Sequence, residues 1–285
     1  MKLKSMEREP EREWAAKAGE SQREITAGEQ RASISAHVVY RAVLAEGETE
    51  LKRPTSALGF SGLAAGLSMG FSFLSEGLIR SHLPEEEWTP LVSNLGYPMG
   101  FLIVILGRQQ LFTENTLTPV LPLLKYKSRS ILVDTLRLWT TVFLANWIGT
   151  IAFAWVLGHA NVVEGKVPGA LQQIGEEAMR HGFATTVVKA IFAGWLIALL
   201  VWLLPFAEAG RILVIILITY VISLGGFSHV IAGSVDTFYL VALGQKSWGD
   251  YLGGFLAPTL LGNILGGVAL VAALNHAQVT AGGQH

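Results

Sequence analysis

Residues 107–115 read Gly107-Arg108-Gln109-Gln110-Leu111-Phe112-Thr113-Glu114-Asn115, and residues 225–229 read Gly225-Gly226-Phe227-Ser228-His229. Each stretch interrupts a long apolar run, the first Pro90–Leu124 and the second Ile212–Leu243. About 20 residues cross a bilayer core as a helix. Runs of 35 and 32 residues are too long for one crossing and short for two. They predict crossings broken by non-helical backbone, which is tolerated at membrane depth only where protein buries it or it lines a cavity.

Four plain apolar blocks flank these two: Ala57–Ile79, Leu138–Gly158, Phe183–Phe206 and Gly253–Leu274. The expected class is an all-α polytopic membrane protein with six transmembrane helices, the second and fifth broken. Hydrophobic residues make up 51% of the 285 and charged residues 15%, against about 25% charged in an ordinary soluble domain. Long apolar runs exclude a transmembrane β-barrel, whose strands alternate in short segments. A net charge of −1 with no basic face gives nucleic-acid binding no support. There is no cysteine and no His-x-x-x-His, so neither an enzyme, nor a metal site, nor a cofactor is expected.

The charges are concentrated at one end. Residues 1–56 hold ten of the 21 Lys+Arg and ten of the 22 Asp+Glu. The chain then divides into three parts: a charged N-terminal tail over 1–56, a membrane domain over 57–277 and a C-terminal tail over 278–285. No apolar stretch lies near Met1, so no cleavable signal peptide is expected. Residues 32–51 have weak helical spacing, and two readings stand: an amphipathic surface helix or part of a solvated tail. Lys+Arg are denser in the tail and in the loop holding Lys125, Lys127, Arg129 and Arg137 than in the loops holding Arg80, Lys166, Arg180 and Lys246. That bias predicts both termini on the cytoplasmic side.

The blocks also repeat. Each half runs plain, broken, plain, and the third member of each carries Asn-x-x-Gly: Asn146 to Gly149 and Asn263 to Gly266. Phe112 lies 34 residues before Asn146, and Phe227 lies 36 before Asn263, which pairs those two phenylalanines as equivalents. Three spans per half require the second copy to be inverted, and inverted repeats with paired broken helices place a substrate path where the copies meet. Gly62, Gly66 and Gly70 form a small-residue face, which serves either helix packing or a pore or subunit contact.

Leu111-Phe112-Thr113-x-Asn115 in a broken second span, with Phe227-x-His229-x-Ile231-Ala232 in a broken fifth, resembles the formate/nitrite transporter family. Arg108–Thr116, together with the charged tail, is most similar to an uncharacterised inner-membrane branch of it. The resemblance runs from about Ala57 to Ala277. It implies an aquaporin-like fold, a homo-pentamer with one pore per protomer, and passage of a small monovalent anion or weak acid across a bacterial inner membrane. Some positions depart from the family pattern. Gln110 stands where an acid is usual and Glu114 where a small residue is. Gly233 and Ala198 stand where asparagines are usual, and Gly182 where a lysine is.

The same resemblance places His229 at the centre of the pore, with Thr113 and Asn115 opposite as uncharged donors. Phe112, Tyr97 and Ile222 match its apolar constrictions, and Phe101 stands where smaller residues are common. Each of these also admits a plain packing role. A histidine titrates near neutral pH and suits either attraction of an anion or loan of a proton. Intramembrane charges are costly and usually paired, so Arg108 and Glu114 are expected to pair and hold the break, with Lys189 or Asp236 as other partners, and Glu76 to lie near the outer surface. A different class of function also stands: a membrane interaction or sensor protein that keeps the fold and works through its tail.

Overall fold

The computed structural model describes residues 35–281, Glu208 excepted. The chain divides into Met1–Val38 and Val39–His285, and every apolar span belongs to the second unit. The expected tail up to position 34, and the chain beyond Ala281, lie outside the described residues.

The described chain is helical throughout. Helix α1 (Ala36–Leu51) precedes α2 (Thr55–Ser81), and Pro54 at the N-cap ends one and starts the other. The second block begins with α3 (Thr89–Ser93), passes a 3-10 turn at Asn94–Gly96 and continues as α4 (Pro98–Leu106). It then breaks and resumes as α5 (Val120–Tyr126). Next come α6 (Arg129–His159), α7 (Val167–Ala178) and α8 (Phe183–Leu203). The fifth block is α9 (Arg211–Leu224), a break, and α10 (Ala232–Ala242). The last span is a π-helical stretch Asp250–Leu256, α11 (Ala257–Ile264), a second π-helical stretch Leu265–Ala273, and α12 (Leu274–Ala281).

Five segments are long and apolar enough to cross a membrane: Thr55–Ser81, Thr89–Leu106, Arg129–His159, Phe183–Phe206 and Asp250–Ala281. The remaining expected span is the fifth block, whose longer half, Arg211–Leu224, is too short alone. Large apolar side chains point outward, Phe60 with 77% of its surface exposed. A water-soluble protein seldom leaves so many such side chains bare, and a bilayer or a neighbouring subunit covers them without cost.

Both breaks fall where the expected ones do, and each has a left-handed residue just past the helix end: Arg108 at φ 50° and Gly226 at φ 57°. The two halves are held alike. Asn146 Oδ1 accepts from the Phe112 N–H (2.8 Å), and its Nδ2 donates to the carbonyls of Gly62 (2.7 Å) and Gln110 (2.8 Å). Asn263 Oδ1 accepts from the Val230 N–H (2.8 Å), and its Nδ2 donates to the carbonyls of Ala190 (2.8 Å) and Ser228 (2.9 Å). One amide from the third span of each half thus ties a broken backbone to the first span. In a region without water these are the groups that would otherwise go unsatisfied.

These clamps correct the register of the repeat. The structural partner of Phe112 is Val230, three residues beyond Phe227. Pairing by residue type misled, because the equivalence lies in a backbone N–H, which no side chain marks. The clamps also explain the small residues. A Cβ on Gly66 would strike the Asn146 backbone and one on Gly194 the Asn263 backbone. Gly149 lies against the backbone of Leu63–Leu67, and Gly266 against Ile191 and Trp195.

Helix α1 lies upstream of the expected boundary at 57, yet it packs with the spans. Tyr40, Val43 and Leu44 are buried in one apolar cluster with Leu117, Leu121, Ala198 and Val271. The Tyr40 hydroxyl meets His276 Nδ1 at 2.8 Å. Gly47 leaves no room for a Cβ against the Thr118 carbonyl. α7 is a further helix, between the third and fourth spans.

Candidate functional site

The two breaks meet. Thr113 Oγ1 stands 2.7 Å from His229 Nε2, and neither residue has more than 1% of its surface exposed. The other imidazole nitrogen fixes the proton. The Ala232 N–H donates to His229 Nδ1 at 3.1 Å, so Nδ1 is an acceptor and the neutral ring carries its hydrogen on Nε2. Nε2–H therefore donates to Thr113 Oγ1. The histidine is oriented from behind by backbone and presents one donor forward.

Aromatic rings stack on the site. The Phe101 ring meets His229 edge-on at 5.1 Å between centroids, and Tyr97 lies 5.3 Å from Phe101. On the Thr113 side, Phe112 packs edge-on against Phe143 (5.2 Å) and Trp139 (5.9 Å). Ile222, on the last turn of α9, is buried in the same apolar cluster as Tyr97, Phe101 and Phe112. A cavity of about 310 Å³ reaches His229 from the face that carries α7. Arg80, Glu177 and Arg180 form its rim, and Tyr97, His229 and Phe255 its floor. Phe101 and Thr113 have no exposed surface, so the path beyond that floor is closed in this structure.

Several side chains stand elsewhere than expected. Asn115 does not face His229. Its Nδ2 donates to Gln110 Oε1 (3.0 Å) and the Leu111 carbonyl (3.2 Å), and its Oδ1 accepts from Thr118 Oγ1 (3.2 Å). The amide is consumed in closing the break, because the residues after Thr113 turn back on themselves. The expected Arg108–Glu114 pair does not form. Arg108 is exposed at the helix end, Glu114 Oε1 is buried without a partner, and no ion pair joins them among the described residues. The left-handed turn at Arg108 sends its side chain away from the break. Lys189 does serve a break. Its Nζ donates to the carbonyls of Gly225 (3.1 Å) and Gly226 (3.2 Å), where the end of α9 leaves acceptors unmet.

Sequence reasoning gives the vestibule too little weight. Glu76 and Asp236 line the cavity above His229. Glu76, expected near the surface, is only 7% exposed. Phe255 has no motif to mark it. It occupies the space opened by Gly233, where a Cβ would collide with the ring. A glycine in place of a usual amide is the available signal for that change.

The chain matches the formate/nitrite transporter family over residues 37–277. The match starts within α1. It is 41% identical over 257 residues to the Escherichia coli inner membrane protein YfdC, covering 90% of this chain and 83% of that one. It is 27% identical over 235 residues to the Bacillus thuringiensis formate channel BtFdhC, covering 80% and 89%. Among solved structures, a pentameric formate channel with formate bound superposes with a TM-score of 0.63 at 19% identity, over 77% of this chain and 95% of that one. An FNT family ion channel superposes with a TM-score of 0.71 at 17% identity, over 82% and 96%. With two broken helices clamped by paired asparagines, and a family match across nearly all the described residues, this multi-pass membrane protein belongs to the formate/nitrite transporter family.

Proposed function

We propose that the protein is a pentameric inner-membrane channel or transporter for a small monovalent anion or its weak acid, of the formate/nitrite type. Each protomer carries its own pore, with both termini in the cytoplasm. The observation that carries this reading is the contact of Thr113 with His229, two broken segments meeting just beneath the floor of a cavity that His229 lines. Tyr97, Phe101, Phe112 and Ile222 form the apolar collar through which a solute sheds water, and apolar collars favour uncharged or transiently desolvated species. An anion stripped of water costs several kcal/mol or more unless paired. His229 meets that cost through Nε2–H, as a donor to the solute or by lending the proton and recovering it on exit. Thr113 holds the donor when the pore is empty.

The test is uptake and swelling of liposomes carrying the purified protein. The screen covers formate, nitrite, acetate, lactate and hydrosulfide, with neutral controls. Saturable uptake of at least one weak acid above empty liposomes is expected. Its absence for all of them would overturn transport. A second reading, a non-transporting membrane sensor working through the charged tail, is favoured by the complete burial of Phe101 and Thr113 and by Phe255 packed on Gly233. The same flux measurement separates the two.

A further inference from the structure

We propose that Phe255 is a specificity-determining residue, a steric filter that limits the solutes reaching His229 to acids no bulkier than formate or nitrite. This rests on the proposed transport function and names the size class of its solute.

His229 is approached between rings that come from two elements. On the α4 side, Phe101 lies edge-on against the imidazole at 5.1 Å, and Tyr97 lies 5.3 Å from Phe101. From the last span comes Phe255, in the π-helical stretch Asp250–Leu256. Tyr97, His229 and Phe255 line the same cavity of about 310 Å³. The tip of the Phe255 ring, its Cζ, is the atom nearest the place where a side chain at 233 would begin. Gly233 stands one helical turn beyond His229, and its N–H donates to the His229 carbonyl at 2.9 Å. The ring therefore takes up the room beside the histidine that a side chain on α10 would otherwise fill.

The ring has no room to retreat. Behind it the Tyr251 ring is stacked at 17°, with 6.5 Å between centroids. That tyrosine is itself pinned from two elements. Its hydroxyl accepts from Trp147 Nε1 of α6 at 2.7 Å and donates to Ser234 Oγ of α10 at 2.9 Å. Tyr251 has none of its surface exposed and Phe255 only 1%. Interiors packed this closely yield little to added volume. A solute must pass the ring tip to come within hydrogen-bond reach of His229. A flat acid such as formate adds no bulk beside its carboxylate. A substituted carbon at that place, as in lactate, meets the ring.

The experiment reconstitutes the full-length parent, G233A, F255A, F255L and F255A/G233A in liposomes and records uptake of formate and of lactate. The two acids are of nearly equal strength, so their ratio reads size and not protonation. The parent is expected to take up formate and little lactate. F255A is expected to raise the lactate-to-formate ratio by at least about tenfold, the discrimination that a close-fitting pocket draws from a small carbon group. F255L removes the ring tip, keeps an apolar side chain and is expected to raise the ratio less; it carries the reading alone if F255A does not assemble. Melting in detergent checks the wedge: G233A should lower the midpoint in the parent and leave it unchanged in F255A, where the colliding ring is gone. Lactate entering the parent as readily as formate would overturn the inference while leaving transport standing. So would a lactate-to-formate ratio that neither F255A nor F255L changes, or a G233A loss equal in both backgrounds. No uptake of any acid in parent or variants would defeat the transport reading itself, and this inference with it.

Discussion

His229 is oriented from behind by the Ala232 N–H and engaged in front by Thr113. Asparagine at 229 retains a forward donor but cannot exchange a proton near neutral pH. Liposomes carrying H229N should therefore still pass the neutral acid, with the pH dependence of uptake changed. An H229N profile matching the parent at every pH would remove proton exchange from the account. Asn146 and Asn263 each make three buried hydrogen bonds. Leaving such groups unmet costs about 1–3 kcal/mol, so N146A and N263A should each lower the melting temperature in detergent clearly, and by similar amounts. Unequal losses would show that one break carries more of the fold than the other. At this scale the sequence was partly legible. That Thr113 and His229 lie at one depth followed from two interrupted apolar runs in an inverted repeat. That Phe112 answers to Val230 did not, because the shared feature is a main-chain donor. That Asn115 turns inward did not either, because its direction depends on how the break closes.

Among the elements, the ends of the half-helices are the places where small changes should tell most. α9 ends at carbonyls that Lys189 caps, followed by Gly226 in the left-handed region. A Cβ at such a residue costs roughly 1–2 kcal/mol. G226A should thus lower thermal stability, and K189M should lower it further by freeing two carbonyls. The measurement is a melt of the detergent-solubilised protein, and an unchanged midpoint for both would deny the cap. α1 depends on one close approach, Gly47 against the Thr118 carbonyl. G47A should lift this helix from its seat and raise trypsin cleavage at Arg41 and Lys52, with the spans intact. The helix was only half readable, since its apolar positions are few. α7 had a clear signal that block length hid: Val167, Ala170, Leu171 and Ile174 recur at helical spacing and are the residues it buries. A search for runs long enough to cross a bilayer passes over a short helix lying between crossings.

At the level of the molecule, the expected assembly has five copies and the chain enters and leaves on one side. Native mass spectrometry in mild detergent should give a pentamer, and a stable monomer would count against it. A C-terminal reporter should be active only in the cytoplasm. The six apolar blocks and the bias of Lys and Arg carry the expectation for the termini, and the family resemblance alone carries the one for the pentamer. The acidic vestibule was not readable, because which way Glu76 and Asp236 face is set by the rotation of α2 and α10. The mouth of that vestibule gives an experimental handle. The Arg80–Glu177 bridge spans it from α2 to α7, and its carboxylate is half exposed. Mobile ions reach such a pair, and at 1 M salt the Debye length falls to about 3 Å. Ionic strength then acts as a latch on entry. Solute admission from the α7 face should quicken as salt rises, in vesicles kept osmotically balanced, while R80Q should be fast already and indifferent to salt.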